Sequence, residues 1–216
     1  MPNPTHRTST AAAALMLAGA LCLTACGSGG THAPAAKKGA STGTTSAAPS
    51  ASASAGNRPK VVLPAEVKHV YEEVGTGDPV TAAVLEDNAR NLEAIDAAIT
   101  GDRASAERAL KFYNQDKSLV AVAAYIDSYY DEGRSFVGTT RYYHRHVTLK
   151  GATAALSYCA DATQTFSKNR RTGKVDRSVA GSAADYTAFT EQLRKNDQGV
   201  WQSVEITSGP GAKTCM

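Results

Sequence analysis

Residues 27–60 constrain the fold more than any other part of this 216-residue chain. The stretch consists mainly of Ala, Ser, Gly, Thr and Pro with a few basic residues, and it contains no aliphatic side chain larger than that of alanine. Such a sequence buries too little apolar surface to offset the conformational entropy lost on ordering. We therefore expect a disordered tether here, with a mean reach of about 30 Å for a random coil of this length, and a folded domain only at residues 61–216.

The segment ahead of the tether predicts export and lipidation. Basic residues precede an apolar run at 11–23 that no charge interrupts, which is the pattern of a secretory signal. The run is shorter than the roughly 20 residues that a membrane-spanning helix needs. Leu23-Thr24-Ala25-Cys26 resembles a bacterial lipobox, in which diacylglycerol is attached to the cysteine thiol before cleavage. The resemblance implies a lipoprotein signal at 1–25 and a lipid on Cys26; the alternative is an ordinary secretory signal that ends in a chance cysteine.

Two of the four cysteines fall within the domain. Cys22 leaves with the signal and Cys26 carries the lipid, so Cys159 and Cys215 remain. Two cysteines in an exported domain most often form a disulfide. A free thiol pair and half of a metal site are the alternatives, although no His or third Cys stands near either position at a metal-ligand spacing.

The distribution of charge argues against a nucleic-acid partner. All 20 acidic residues lie at or beyond Glu66, whereas five of the 23 basic residues precede it. The domain therefore carries 18 basic against 20 acidic side chains, and a nearly neutral domain lacks the positive surface that nucleic-acid binding requires.

The first half of the domain has helical patterns. Apolar residues at helical spacing predict a first helix from Pro64 to Val74, before Gly75. Three further helices are predicted from apolar stripes: Asp78 precedes and Gly101 follows the first of them, Asp102 or Ser105 opens the second, and Gly133 ends the third. They run from Pro79 to Thr100, from Asp102 or Ser105 through Tyr113, and from Lys117 to Glu132.

The second half changes to a period of two, which is typical of strands. The predicted strands are residues 141–149, 153–166, 185–195 and 200–207. The last strand contains Trp201, the only Trp, which we expect to face the core. Helices followed by an antiparallel meander predict an α+β domain in which the helices cover one face of the sheet.

This order of elements resembles the NTF2-like (SnoaL-like) cone fold. Four features also resemble a group of small actinobacterial exported proteins and lipoproteins. They are Leu149-Lys150-Gly151 before an Ala-rich strand, Cys159 with Asp161 two residues on, Gly199-Val200-Trp201, and a terminal Cys215 after Gly211. The resemblance covers roughly residues 79–215. It implies N-terminal helices packed on a curved antiparallel sheet and supports the Cys159–Cys215 disulfide, and it implies no assigned reaction.

Four residues on the predicted strands are candidates for lining a pocket in the cone. Tyr142, His144 and His146 alternate on one face of their strand, and such a His pair can ligate a metal or act as acid and base. No metal-binding signature supplies a third ligand. Asp161 is a candidate base where apolar walls raise its pKa. The alternatives are solvent-facing or hydrogen-bonded histidines, and a polar structural role for Asp161 beside the disulfide.

One predicted loop, residues 167–182, is strongly basic. Its cations are Lys168, Arg170, Arg171, Lys174 and Arg177, with Asp176 opposing them. The loop is a candidate contact for anionic lipid or an acidic partner; the alternative is a solvated hairpin tip.

We therefore expect a lipoprotein on the extracytoplasmic face of the cell membrane. The favoured function is non-enzymatic binding of a protein or small ligand by the cone domain, with no cofactor, no metal and no assignable catalytic residue. The alternatives are a small-molecule isomerase, cyclase or hydratase, and a structural element of an envelope complex. An ionisable group inside an apolar cavity favours the enzyme, and an exposed apolar patch favours the structural role.

Overall fold

The computed structural model describes residues 58–178 and 181–216. The predicted signal, the lipobox and nearly all of the predicted tether lie outside the described residues. In chain order the elements are β1 (Val67–Tyr71), α1 (Pro79–Thr100), α2 (Arg103–Tyr113), α3 (Asp116–Asp131), β2 (Arg134–Lys150), β3 (Thr153–Asn169), β4 (Tyr186–Lys195) and β5 (Trp201–Pro210).

Two of the predicted helix starts are confirmed by their caps. The carboxylate of Asp78 accepts hydrogen bonds from the backbone N–H groups of the next turn, and Pro79 occupies the first helical position of α1. Asp102 caps α2 in the same way. After α3, Gly133 adopts a φ of 61°, a conformation that glycine takes without the steric cost of a Cβ atom.

The first predicted helix is wrong, because its central residues form strand β1. This strand pairs in parallel with β2, with Val67 opposite Gly138 and Tyr71 opposite Tyr142. Over so short a segment the apolar spacing fits both a helix and a strand. The Val- and Tyr-rich sequence suits a pleated surface, and pairing with β2 satisfies the backbone groups of the segment.

The five strands form one sheet in the order β1-β2-β3-β4-β5, antiparallel from β2 to β5. The helices pack on one face, here called the inner face, which contains Tyr142, Ala160 and Phe189. The predicted α+β architecture, with helices packed on one face of a curved, mostly antiparallel sheet, is confirmed.

A β-bulge in β2 changes which side chains reach the inner face. Tyr143 pairs with Cys159 and His146 pairs with Ser157, so β2 has one residue more than β3 over this interval. The extra residue is accommodated around His144, whose φ is 51°. The bulge keeps Tyr142 on the inner face and turns both histidines to solvent.

Two clusters of buried apolar side chains form the core. One lies between α1 and the inner face and includes Leu156, Leu193 and Trp201, while the other joins α1, α2 and α3. Trp201 is 1% exposed, which confirms the expectation that it faces the core. Among the described residues, the members of both clusters lie between residues 61 and 201.

The opposite, outer face of the sheet carries the disulfide. Cys159 lies on β3, and Cys215 lies in a short 3-10 helix after β5, with 5.6 Å between their Cα atoms. The Tyr143 hydroxyl donates a hydrogen bond to the carbonyl oxygen of Cys215. The C-terminal residues are therefore fixed against the outer face, as the sequence predicts for the Cys159–Cys215 pair.

Candidate ligand-binding cavity

The inner face is filled by side chains at one end of the sheet and hollow at the other. Large residues of the first core cluster fill the end near the β2–β3 turn. Beyond Tyr142 and Ala160 lies a cavity of about 670 Å³ between the sheet, α1 and α3. Its apolar walls include Leu92, Ile95, Val122, Phe136, Phe166 and Phe189. Exposed lining residues on α3 and at the end of β5, among them Tyr125 and Pro210, place its opening between these two elements.

A carboxylate from α1 faces this cavity. Asp96 occupies the apolar stripe of α1 beside Leu92 and Ile95, and its side chain is 11% exposed. Its Oδ2 atom lies 2.7 Å from Nε2 of His69, whose side chain is 2% exposed. The His69–Asp96 pair joins β1 to α1 at the wall of the cavity.

Aromatic rings surround the histidine. Tyr71 and Tyr142 stack with ring centroids 5.2 Å apart, and each makes an edge contact with the His69 ring. Burial raises the pKa of both tyrosine hydroxyls well above the usual value, so both remain protonated over the physiological range. Tyr142 also lines the cavity.

Both ring nitrogens of His69 have hydrogen-bond partners. Nδ1 of His69 lies 2.9 Å from the Tyr71 hydroxyl, and that hydroxyl also lies 3.1 Å from the Ala89 carbonyl oxygen. The Tyr71 hydroxyl can thus accept from Nδ1–H while it donates to Ala89. On the other side of the ring, Nε2 shares a hydrogen bond with the Asp96 carboxyl group. The wall of the cavity therefore presents a carboxylate held in one orientation by a buried imidazole.

A fixed carboxylate in a largely apolar cavity can act in two ways. It can accept a hydrogen bond from a hydroxyl or amine of a bound molecule, or it can take a proton from one. Both roles need a neighbouring group that keeps the carboxylate oriented, and the hydrogen bond with His69 provides this orientation.

The structure brings one of the four predicted pocket residues to the cavity. Tyr142 lines it. His144 and His146 are exposed because of the bulge in β2. Asp161 lies on the outer face, where one oxygen accepts hydrogen bonds from the backbone and hydroxyl of Thr163 and the other lies 3.8 Å from Arg141. The expected site is corrected accordingly: His144, His146 and Asp161 do not line the cavity, and the buried carboxyl group that does, that of Asp96, comes from α1.

The signals for His69 and Asp96 are present in the sequence. Asp96 interrupts an apolar stripe of α1. Burying a charged side chain there costs free energy unless the charge has a partner. His69 alternates with Val67 and Tyr71, but this pattern is visible only when the segment is read as a strand. The wrong helix prediction for residues 64–74 therefore also concealed the histidine.

A second carboxyl group is buried deeper, away from the cavity. Glu191 on β4 is 1% exposed, and its Oε1 accepts hydrogen bonds from the Tyr158 hydroxyl at 2.7 Å and the Asn88 amide at 3.1 Å. Burial raises the pKa of Glu191 above its usual value, although hydrogen bonding by Tyr158 and Ser203 and the nearby Arg145 oppose the shift. Glu191 links α1 to the filled end of the inner face.

The described part of the chain offers neither a metal cluster nor a membrane span. Within residues 58–178 and 181–216, no three His, Cys, Asp or Glu side chains are grouped so as to hold a metal ion. None of the helices described has both the length and the apolarity needed to cross a bilayer.

Comparisons with known proteins find similarity among solved structures alone. No protein-family model and no curated protein matches the chain. It is similar to a ketosteroid isomerase-like protein from Erwinia carotovora atroseptica, with 18% identity, a TM-score of 0.41, and 62% of this chain and 97% of that chain covered. It is also similar to an NTF2-like superfamily protein from Salmonella enterica, with 14% identity, a TM-score of 0.42, and 62% and 93% covered.

Proposed function

We propose that this protein is a cell-surface lipoprotein whose cone domain binds a small, largely apolar molecule in the cavity. The observation that carries the proposal is the Asp96 carboxylate, oriented by His69 in an otherwise mostly apolar cavity. Ligand sites are typically concave and apolar, with a few fixed polar groups. An ionised carboxylate only accepts hydrogen bonds. The ligand therefore carries a hydroxyl or amine that donates to Asp96, attached to an apolar body that fills the cavity.

The binding proposal is tested with the mature chain without lipid (residues 27–216) and the dye N-phenyl-1-naphthylamine. This dye is apolar, has one N–H donor, and fluoresces more strongly in apolar surroundings. We expect saturable binding, with the affinity about 10-fold weaker in Asp96→Asn because a charge-assisted hydrogen bond becomes a neutral one. Asp197→Asn, in an exposed turn, is the matched control.

Two Trp substitutions on α3 test whether the dye binds in the cavity. Ala121 and Ala124 are both exposed on α3, but of the two only Ala121 lines the cavity. Ala121→Trp narrows the opening and is expected to reduce binding strongly, while Ala124→Trp retains it. The proposal fails if the wild-type chain shows no saturable binding, or if both Trp variants bind as the wild type does.

The lipid anchor is supported by the lipobox-like sequence that ends at Cys26. Two acyl chains attached through one cysteine give stable membrane attachment where a single chain does not, since each buried CH₂ contributes roughly 0.8 kcal/mol. Cys26→Ala is expected to release the protein from membrane fractions or to leave the precursor uncleaved. Cys22→Ala, which lies within the predicted signal, is the control. A Cys26→Ala protein that is processed and still sediments with membranes would contradict the anchor.

The position of Asp96 also favours a second candidate function, proton-transfer catalysis of the isomerase, cyclase or hydratase kind. Asp96 would take a proton from a carbon next to a carbonyl group of the bound molecule. A test is deuterium exchange into 2-tetralone, an apolar ketone, followed by NMR in D₂O. This function predicts faster exchange with the wild type than with Asp96→Asn at saturating ketone. Equal exchange rates would leave binding as the function.

The structural role in an envelope complex has less support. The exposed large apolar residues are spread over several parts of the described chain, and no element carries more than two of them. They are Val62, Val70, Val120, Tyr125, Leu149 and Met216.

A further inference from the structure

The cavity continues into a polar groove at the end of the β2–β3 pair. The cavity and the groove share three lining residues, Arg134, Ser167 and Asp176. Lys174 and Arg177, from the segment after β3, line the groove and not the cavity. The groove is therefore next to the cavity, with these three residues at the boundary between them.

Two guanidinium groups lie where the cavity meets the groove. Cζ of Arg177 is 4.5 Å from the centroid of the Phe166 ring, and Cζ of Arg134 is 5.6 Å from that of Tyr129. Both rings are also part of the cavity wall. Contacts of this kind hold a cation over an aromatic face without neutralising its charge.

The groove has an excess of positive charge. Its lining contains three cations, Arg134, Lys174 and Arg177, against one carboxylate, Asp176, a net charge of +2. One oxygen of Asp176 already accepts hydrogen bonds from the backbone N–H and hydroxyl of Ser178. Arg134 is paired with Glu132, so Lys174 and Arg177 are the cations of the groove best placed to meet an external anion.

Two other basic residues of this hairpin have structural contacts. Lys168 forms an ion pair with Glu66. Arg170 donates a hydrogen bond to the carbonyl oxygen of Ile99 and stacks 3.7 Å from the Tyr130 centroid. In the sequence the five cations form one basic cluster. In the structure Lys174 and Arg177 line the groove, whereas Lys168 and Arg170 contact other parts of the fold.

We propose that the ligand of this protein is a single-chain anionic amphiphile. This inference rests on the proposed binding function of the cavity. The apolar chain lies in the cavity, a hydroxyl or amine at one end donates to Asp96, and a carboxylate or phosphate at the other end lies in the groove beside Lys174 and Arg177. The cavity alone would accept a neutral molecule, and the groove is what selects the charged one.

The test compares two probes that differ in one head group. The compounds 12-hydroxydodecanoate and dodecane-1,12-diol have the same chain length and the same hydroxyl end, but only the first is anionic at pH 7. Each is titrated against the mature chain carrying bound N-phenyl-1-naphthylamine. We expect the anion to displace the dye at a concentration about 10-fold lower than the diol, and the advantage to shrink as salt is added.

Substitutions in the groove test whether its cations cause the preference for the anionic probe. Lys174→Gln and Arg177→Gln are each expected to reduce the advantage of the anion and to leave displacement by the diol unchanged. Arg171→Gln is the control, because Arg171 is exposed on the same hairpin but does not line the groove. Retention of the advantage in the Lys174→Gln, Arg177→Gln double variant would overturn the proposal.

The outcomes separate this inference from the proposed function. Equal displacement by both probes overturns the anionic ligand and leaves the binding function standing, whereas failure of the dye to bind overturns both. A lipid surface is distinguished by sedimentation with phosphatidylglycerol vesicles. Vesicle binding that depends on Lys174 and Arg177, without displacement by 12-hydroxydodecanoate, would assign the groove to a membrane surface and overturn the proposal.

Discussion

Arg58 and Asp87 form a salt bridge that is almost completely buried. Nε and Nη2 of Arg58 both lie 2.8 Å from Oδ1 of Asp87, and the two side chains are 4% and 0% exposed. The other oxygen of Asp87 accepts a hydrogen bond from the backbone N–H of Trp201 at 2.9 Å. Arg58 belongs to the segment that the sequence predicts as tether, so the contacts of the domain begin before the predicted boundary at residue 61.

The first prediction concerns this bridge. Asp87→Ala should lower the free energy of unfolding by about 3–5 kcal/mol, because it removes the buried carboxylate that pairs with Arg58 and leaves the buried N–H of Trp201 without an acceptor. Urea denaturation of the mature chain measures the change. Arg103→Ala is the control, since the Arg103–Asp127 pair is about half exposed and is expected to contribute less than about 1 kcal/mol. A loss below that control value for Asp87→Ala would refute the prediction.

The second prediction concerns Glu191 and pH. Burial raises the pKa of Glu191 in the folded state, so between its unfolded value of about 4.3 and that raised value the folded protein binds more protons. The free energy of unfolding therefore falls as pH rises through this interval. Gln keeps an oxygen for Tyr158 and Asn88 and does not titrate.

We accordingly expect Glu191→Gln and wild type to differ least near pH 4 and the variant to gain in relative stability toward pH 8. Thermal melts at several pH values measure the difference, with Glu73→Gln, at an exposed site, as the control. A difference between Glu191→Gln and wild type that does not change with pH would contradict the prediction.

How much of this molecule could be predicted from its sequence depends on local signals. Helix α1 was predictable because Asp78, Pro79 and Gly101 mark its ends, and the meander was predictable because its strands alternate. Strand β1 was not predictable, because the apolar spacing of its five residues fits both a helix and a strand. Its strand conformation depends on parallel pairing with β2, about 70 positions away in the sequence. Of the predicted pocket residues, only Tyr142 lines the cavity. The bulge at His144 changes which residues of β2 face inward after Tyr142, and no local sequence signal predicts a bulge at that position.

The third prediction concerns Trp201. Truncation to Ala should cost about 3–5 kcal/mol, because it removes a large ring that is 1% exposed between α1 and the sheet. The native protein should show blue-shifted Trp fluorescence that external quenchers reach poorly. Val120→Ala, at a residue that is 71% exposed, should leave the melting temperature nearly unchanged. A red-shifted, readily quenched Trp would be incompatible with the buried position.

The fourth prediction concerns the disulfide. Replacing both Cys159 and Cys215 by Ala should lower the free energy of unfolding by about 4 kcal/mol in the chain-entropy model, since the bond closes a 56-residue separation. Dithiothreitol should bring the wild type close to the stability of the double variant and leave the variant unchanged. Tyr143→Phe, which removes one hydrogen bond to Cys215, is expected to cost far less. Equal stability of oxidised and reduced wild type would contradict the prediction.

Strand β3 carries the disulfide and the cavity on adjacent residues: Cys159 points to the outer face and Ala160 to the inner face. Neighbouring side chains of a strand point to opposite faces of the sheet. The disulfide and the cavity therefore lie on opposite faces of the same sheet. Reducing conditions would release the C-terminal residues from the outer face, on the side of the sheet opposite the cavity wall. The disulfide and the cavity are thus separated by the thickness of a single backbone.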